Sequence, residues 1–570
     1  MTLQSNGVNY LGMLAAAGTM LFADTLEAAI TPYDLLGRLP ASEFTNHIIG
    51  GFGEAGWKDW GREPSIAVNP LDPNKMVVAT FAYGRNPIDL TYLGEASLWY
   101  TSDGGFNWGL RFPMTQLVST PVGPLDQTVG YDSKGILHMA VELAVDYPPG
   151  PGVGIFHGQT LDPNHDGREG RPSNAWLWTN GGKAINAPSD DPDQPWLAVG
   201  PNIGALGQAA VHVGYSSFDT LLEERVVSST DGGATFTSAA DLRISNGAQQ
   251  VGMGNPGTRI AMDHQGWVYS FFGWPDTDLG DGLKHVQYSL NRWTGGTSWD
   301  FTTNNAQPGG VLVDQGASHQ GLGYKFGGVN TLIGNVTAIA VSPDGQHIYT
   351  GYGKRDVDNV DKIYVREFHP DPNDPTNVLG APPVLLSQGS LQSALPSVAV
   401  TDDGRLWVMY DQFDPANASF SVRLASSTDL GQSFTDEILY SFTSPFPDNG
   451  DVRQRVLGDY QGLVALGNRV YGTFAGRGNV NNGVIQTTGF IDPFVFSAPE
   501  VGPVLRIQPS STNTVIISWP IISTGFSLHQ KSSLRMADWA NVTNSPVVIG
   551  NENQVTVVPT VGNMFYRLAN

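Results

Sequence analysis

The chain has 570 residues, 69 of them glycine and 38 proline; 40% are hydrophobic and 15% charged. That balance suits many short strands joined by turns rather than long helices. It has no cysteine, which excludes disulfides, thiolate catalysis and cysteine-based zinc sites. The formal net charge of −23 argues against nucleic acid and anionic membranes as partners. It also works against an anionic substrate, unless a local basic pocket reverses the field.

Residues 1–50 read as a lead-in segment. An apolar run from Tyr10 to Ala23 resembles the core of an export signal, but no Lys or Arg precedes it, so a short packed helix is the other reading. No stretch is long enough to span a bilayer. The acidic, cysteine-free composition suggests a secreted protein, extracellular or periplasmic.

From residue 51 to 497 one unit recurs: a short apolar strand, a polar turn and an aromatic-rich strand. Copies begin at Pro64, Gly130, Pro195, Arg259, Ala338, Ser397 and Tyr460. The central turns are mostly Lys-Gly, Gln-Gly, Asp-Gly or Gly-Asn, pairs that tolerate the positive φ of a tight hairpin. Seven such hairpins predict an all-β fold, a β-propeller of six or seven blades.

Three segments share a tighter pattern: Thr101–Trp108, Ser229–Phe236 and Ser427–Phe434. Each carries Asp (Asp103, Asp231, Asp429), Gly two residues on and an aromatic five residues on. The carboxylate can accept N–H bonds within its own turn, the glycine can adopt a barred conformation, and the aromatic can join the core. These aspartates are therefore structural.

Between them, Asp162-Pro-Asn164-His-Asp166-Gly167 places oxygen ligands at alternate positions, like the first half of an EF-hand loop. Ser173 stands where the bidentate Glu should be, so a structural calcium ion and an Asx-rich turn are both open. No cofactor is otherwise required. Neither a His-x-x-x-His pair nor a Gly-x-Ser-x-Gly elbow is present. Residues 498–570 hold short alternating strands such as Thr514–Trp519 and Val555–Val558, which predict a small β-sandwich. It resembles modules appended to secreted bacterial proteins, which implies a binding, anchoring or sorting role toward a cell-surface or extracellular-matrix partner; a plain structural cap is the other reading.

With its Asp boxes the chain resembles the sialidase (neuraminidase) superfamily over roughly residues 60–490. The resemblance implies an exo-glycoside hydrolase acting on terminal sugars of a glycan or glycoprotein. By position, Arg62 of Arg62-Glu-Pro64 matches an arginine that grips the substrate carboxylate. Asp89, in the loop before the first box, matches the general acid/base, and Tyr460 matches the nucleophile. A tyrosine approaches an anomeric centre beside a carboxylate without the repulsion that a carboxylate nucleophile would suffer. The glutamate that activates it has no clear counterpart; Glu142 is the candidate. The two remaining arginines are unmatched: Arg259, Arg453, Arg455 and Arg477 are available, with Arg259 and Arg477 the candidates, and no motif selects among the four. Glu63 departs from the apolar residue the family carries. A non-catalytic propeller for carbohydrate or protein binding, or for extracellular assembly, is the alternative. An endo-glucanase-like enzyme with paired carboxylates across a groove is a third.

Overall fold

The computed structural model describes residues 30, 32–39, 62–81, 97–111, 113, 124–147, 150–164, 176–187, 190–202, 207–218, 223–237, 240–244, 257–275, 284–293, 310–318, 324–332, 336–387, 389–452, 454–481, 484–498, 505–510, 514–520, 527–532, 539–549, 552–558 and 564–569. The chain divides into two compact units, Ile30–Ala498 and a second that includes Pro499–Asn570.

The first unit is a β-propeller. Its described residues form seven antiparallel sheets of four strands, one carrying a fifth strand. Their innermost strands are Arg62–Val68, Pro124–Tyr131, Pro192–Pro201, Arg259–Met262, Thr337–Val341, Gln392–Val400 and Gly462–Leu466. Each packs against the next, and the last packs against the first. The seven repeats of the sequence are the two inner strands of the seven sheets. Their turn glycines take the expected conformation, with φ of +77° at Gly135, +87° at Gly266, +69° at Gly345 and +80° at Gly404. The inner strands surround an axial channel of about 240 Å³, lined largely by Ile, Val, Leu, Ala and Met side chains.

Ring closure uses part of the lead-in segment. Tyr33–Asp34 pairs with Phe494–Val495 as the outermost strand of the last sheet. Leu35, Leu36 and Leu39 then bury themselves among Ile66, Val78, Trp99 and Trp108 of the first sheet and Tyr471 and Val495 of the last. The propeller unit therefore begins at Ile30, ahead of the expected boundary at 51.

The three Asp turns behave as their chemistry requires. Asp231 accepts bonds from the Ser229 hydroxyl (2.7 Å), the Thr235 amide (2.9 Å) and the Thr235 hydroxyl (2.6 Å). Asp103 and Asp429 repeat the pattern with Thr101 and Asn107, and with Ser427 and Ser433. Gly105, Gly233 and Gly431 take φ of +90°, +84° and +78°. Trp108 is fully buried beneath the first turn.

In the second unit, a four-stranded and a three-stranded sheet share a core of Val515, Ile517, Trp519, Leu528, Val555, Val557 and Tyr566. Among the described residues no helix is long and apolar enough to cross a membrane.

Candidate functional site

Three of the innermost strands carry the same irregularity near their first residues. Register slips between Arg62 and Ser65, between Asp193 and Trp196, and between Ala394 and Ser397. At each slip a residue with positive φ precedes a proline: Glu63 (51°), Gln194 (53°) and Leu395 (54°). A residue before proline avoids the α region, and a side chain at positive φ is strained by about 1–3 kcal/mol. Such strain gathers at functional sites. A fourth slip, between Pro124 and Gln127, brackets Asp126. These bulges make the first turn of each strand depart from simple alternation.

The strand ends bring together a buried cluster of acids. The Tyr460 hydroxyl donates to Asp126 Oδ1 at 3.1 Å and receives the Gln127 amide at 3.3 Å. Asp126, Glu142 and Asp193 each offer one oxygen, and these oxygens lie within 4.8 Å of one another. Glu142 Oε2 accepts the Gln194 amide at 3.2 Å. Glu63 and Asp459 share Arg455, whose Nη1 is 3.3 Å from Glu63 and 2.6 Å from Asp459. Glu63 also receives the Asp459 amide, and Gln194 Nε2 donates to Asp459.

Arg259 sits beside the tyrosine. It donates from Nη2 to Gln194 Oε1 at 2.8 Å, and its guanidinium lies 4.3 Å from the Trp196 ring centroid and 5.5 Å from that of Tyr460. Its Nε and Nη1 are buried without an acceptor. Trp196 meets Tyr460 edge to face.

Burial sets the protonation. It is the largest cause holding Glu63, Glu142 and Asp193 well above the ordinary carboxyl range; neighbouring carboxylates add to it, Asp126 for Glu63 and Asp193 and Asp193 for Glu142. Burial likewise pushes the Tyr460 phenol well above its usual value, and Asp126 adds to the push. A phenol held neutral needs a base at the moment of attack, and Asp126 is the group in contact with it. The Asp126–Glu142–Asp193 oxygens are close enough to share protons or to hold one cation.

Of the residues singled out by sequence, Tyr460, Glu142 and Arg259 come together here. Glu142 accepts the Gln194 amide, while the carboxyl hydrogen-bonded to the tyrosine hydroxyl is Asp126. Arg62 stands one residue before Glu63 on the same strand, with its side chain half-buried. Arg477 is elsewhere, on the second strand of the last sheet, where Nη1 donates to Thr443 Oγ1 at 2.9 Å. Asp89 and Asp166 lie outside the described residues. Asp162 Oδ1 accepts the Asn164 amide, an Asx turn, and the Arg111 guanidinium occupies the backbone and side-chain oxygens of Asn164. A cationic side chain thus takes oxygens that had been expected to face calcium.

Sequence reasoning missed Asp126, Asp193 and Asp459, and it offered Arg455 only as one of four available arginines. A usable signal existed for the strained positions. Aligning the repeats on their apolar residues Ile66, Leu197 and Val398 superposes Glu63-Pro64, Gln194-Pro195 and Leu395-Pro396. Support from behind comes from Asn330. Its side chain accepts the Leu457 and Gly458 amides at 2.7 and 3.0 Å and donates to the Gly458 carbonyl at 2.9 Å. Gly458, at φ +91°, lies against Glu63 so closely that a Cβ would stand 2.3 Å from the Glu63 Cγ.

No known family model matches the chain, and no curated protein matches it. Solved structures resemble it distantly. A protein of unknown function from Dyadobacter fermentans DSM 18053 is 12% identical, with a TM-score of 0.39 over 83% of this chain and 99% of that one. An ulvan lyase of polysaccharide lyase family PL25 is 12% identical, with a TM-score of 0.36 over 77% and 94%. An α-L-arabinanase from Penicillium chrysogenum is 14% identical, with a TM-score of 0.31 over 65% and 92%.

Proposed function

We propose that the protein is an exo-acting glycoside hydrolase with a tyrosine nucleophile, a sialidase-like mechanism applied to terminal sugars of glycans. The observation that carries this reading is the Tyr460–Asp126 hydrogen bond of 3.1 Å, set among carboxyls at the end of the axial channel.

The steps balance as follows. The Tyr460 oxygen bonds to the anomeric carbon while its proton passes to Asp126. The glycosidic C–O bond breaks, and the leaving oxygen takes a proton from a carboxylic acid, the part that the resemblance assigns to Asp89. Water then attacks the glycosyl–tyrosine carbon and gives its proton to that carboxylate, and Tyr460 recovers its own proton from Asp126.

The test is release of 4-methylumbelliferone from a panel of 4-methylumbelliferyl glycosides. Tyr460→Phe and Asp126→Asn should each lower kcat by about 100-fold or more, the scale of a lost nucleophile or base. Equal release by wild type and Tyr460→Phe would eliminate the tyrosine mechanism. Burial favours a second reading, a non-catalytic carbohydrate-binding propeller, because Tyr460 and Asp126 are each only 4% exposed. Under that reading no glycoside is cleaved, and both variants keep their affinity for the glycan.

A further inference from the structure

We infer that the axial site takes an uncharged terminal sugar rather than sialic acid or another acidic glycan; this rests on the hydrolase reading above. Five carboxyl groups converge at one end of the innermost strands: Glu63, Asp126, Glu142, Asp193 and Asp459. Contacts join them into one cluster through Gln194, Arg455 and the shared oxygens of Asp126, Glu142 and Asp193. Among the described residues, the basic groups seen in contact with this cluster or with its Gln194 are Arg455 and Arg259.

Arg455 is committed. Its Nη1 bridges Glu63 and Asp459, so its charge is spent within the protein. Arg259 is left as the partner for an incoming anion. It too is constrained, because one N–H goes to Gln194 and aromatic rings flank its guanidinium. An acidic sugar would therefore bring a further carboxylate into a desolvated site that already holds Glu63, Glu142 and Asp193 above the ordinary carboxyl range, with one guanidinium to offset it. The burial that disfavours the charged form of those groups disfavours the incoming anion in the same way. The net charge of −23 opposes the approach as well.

The same groups suit hydroxyls. A carboxyl held protonated donates and accepts, an ionised one accepts, and the unpartnered Nε–H and Nη1–H of Arg259 supply donors that cannot rotate away. A sugar ring bearing only hydroxyls satisfies both kinds of partner without importing charge. The local basic pocket that an anionic substrate would require is the opposite of what these residues build.

The experiment uses the full chain and two sets of 4-methylumbelliferyl glycosides. One set is uncharged (α-L-arabinofuranoside, α- and β-galactoside, β-glucoside, α-L-rhamnoside). The other is acidic (N-acetylneuraminide, β-glucuronide). At least one uncharged glycoside should be cleaved with a kcat/KM about 100-fold or more above both acidic ones, and Tyr460→Phe should abolish that cleavage. Asp459→Asn, which releases the Arg455 guanidinium from its partner at 2.6 Å, should narrow the gap by about tenfold. An acidic glycoside cleaved as fast as the best uncharged one, with Tyr460 still required, would overturn the inference and leave the hydrolase standing. Cleavage of none of them would overturn the hydrolase reading and the inference together.

Discussion

The propeller contains two populations of carboxyl side chains that differ in almost every respect. In the Asp turns, burial is the largest single influence on Asp103 and Asp231 and raises them, but the several bonds from their own loop together outweigh it, and such bonds lead outright at Asp429, so all three carboxyls are lowered. At the axial end, acids from different sheets meet in a buried cluster, and burial raises Glu63, Glu142 and Asp193. The first population is local: each turn could be cut out and understood alone. The second exists only when the ring is assembled. The sequence pattern advertises the first, while the chemistry belongs to the second.

That contrast can be broken from either side. The largest effect is expected from Arg455→Met. It strips the shared cation from Glu63 and Asp459, and removing one member of a buried charged group costs about 3 kcal/mol or more. Urea unfolding should show a lower midpoint with an unchanged slope.

The next effect is in pH. Burial raises Asp411 to about 8 and Glu224 to about 7. Unfolded carboxyls titrate near 4. The folded state therefore binds these protons more tightly, and the stability they contribute is full below about pH 4 and drains away as pH rises through 7 to 8. Thermal scans from pH 4 to 9 should show Tm falling along that limb. Asp411→Asn should make the fall shallower by about 3 °C. A Tm that rises over that interval in the wild type would contradict the burial of these groups.

The smallest effect is expected from Asp231→Ala. A carboxylate that accepts bonds within its own turn resembles a helix cap, whose loss costs about 1 kcal/mol. Its sign in pH is opposite: a lowered carboxyl contributes stability above pH 4 that is lost as pH falls below it. Turnover should be unaffected, since the turn's bonds are all local.

What was legible in the sequence follows the same divide. The hairpins, their positive-φ glycines and the Asp turns are set by residues within a dozen positions of one another, and they could be read directly. Tyr460 was legible through the resemblance, by its position before a late hairpin, and Arg259 only as one of four available arginines. Asp126 was not, because its significance lies in contact with a tyrosine more than 300 residues away. Glu63 looked like a departure from the family's apolar residue; the structure explains it as the partner of Arg455, which no local pattern links to it. No motif selected Arg477 among the available arginines, and it reaches Thr443 of the neighbouring sheet. The calcium expectation assumed that oxygens at alternate positions would seek a metal, and Arg111, from the preceding sheet, reached Asn164 first.

The pairing of Tyr33–Asp34 with Phe494–Val495 also sets a timetable. During synthesis the first strand leaves the ribosome with its partner still untranslated, and six other sheets must be made before the seal exists. Contacts this distant in sequence close slowly, and a waiting strand edge invites the wrong neighbour. Asp126, Glu142 and Asp193 can meet once the second and third sheets form, but Asp459 and Tyr460 arrive with the last sheet. Any activity that needs the Tyr460–Asp126 pair should therefore switch on only when the ring is complete.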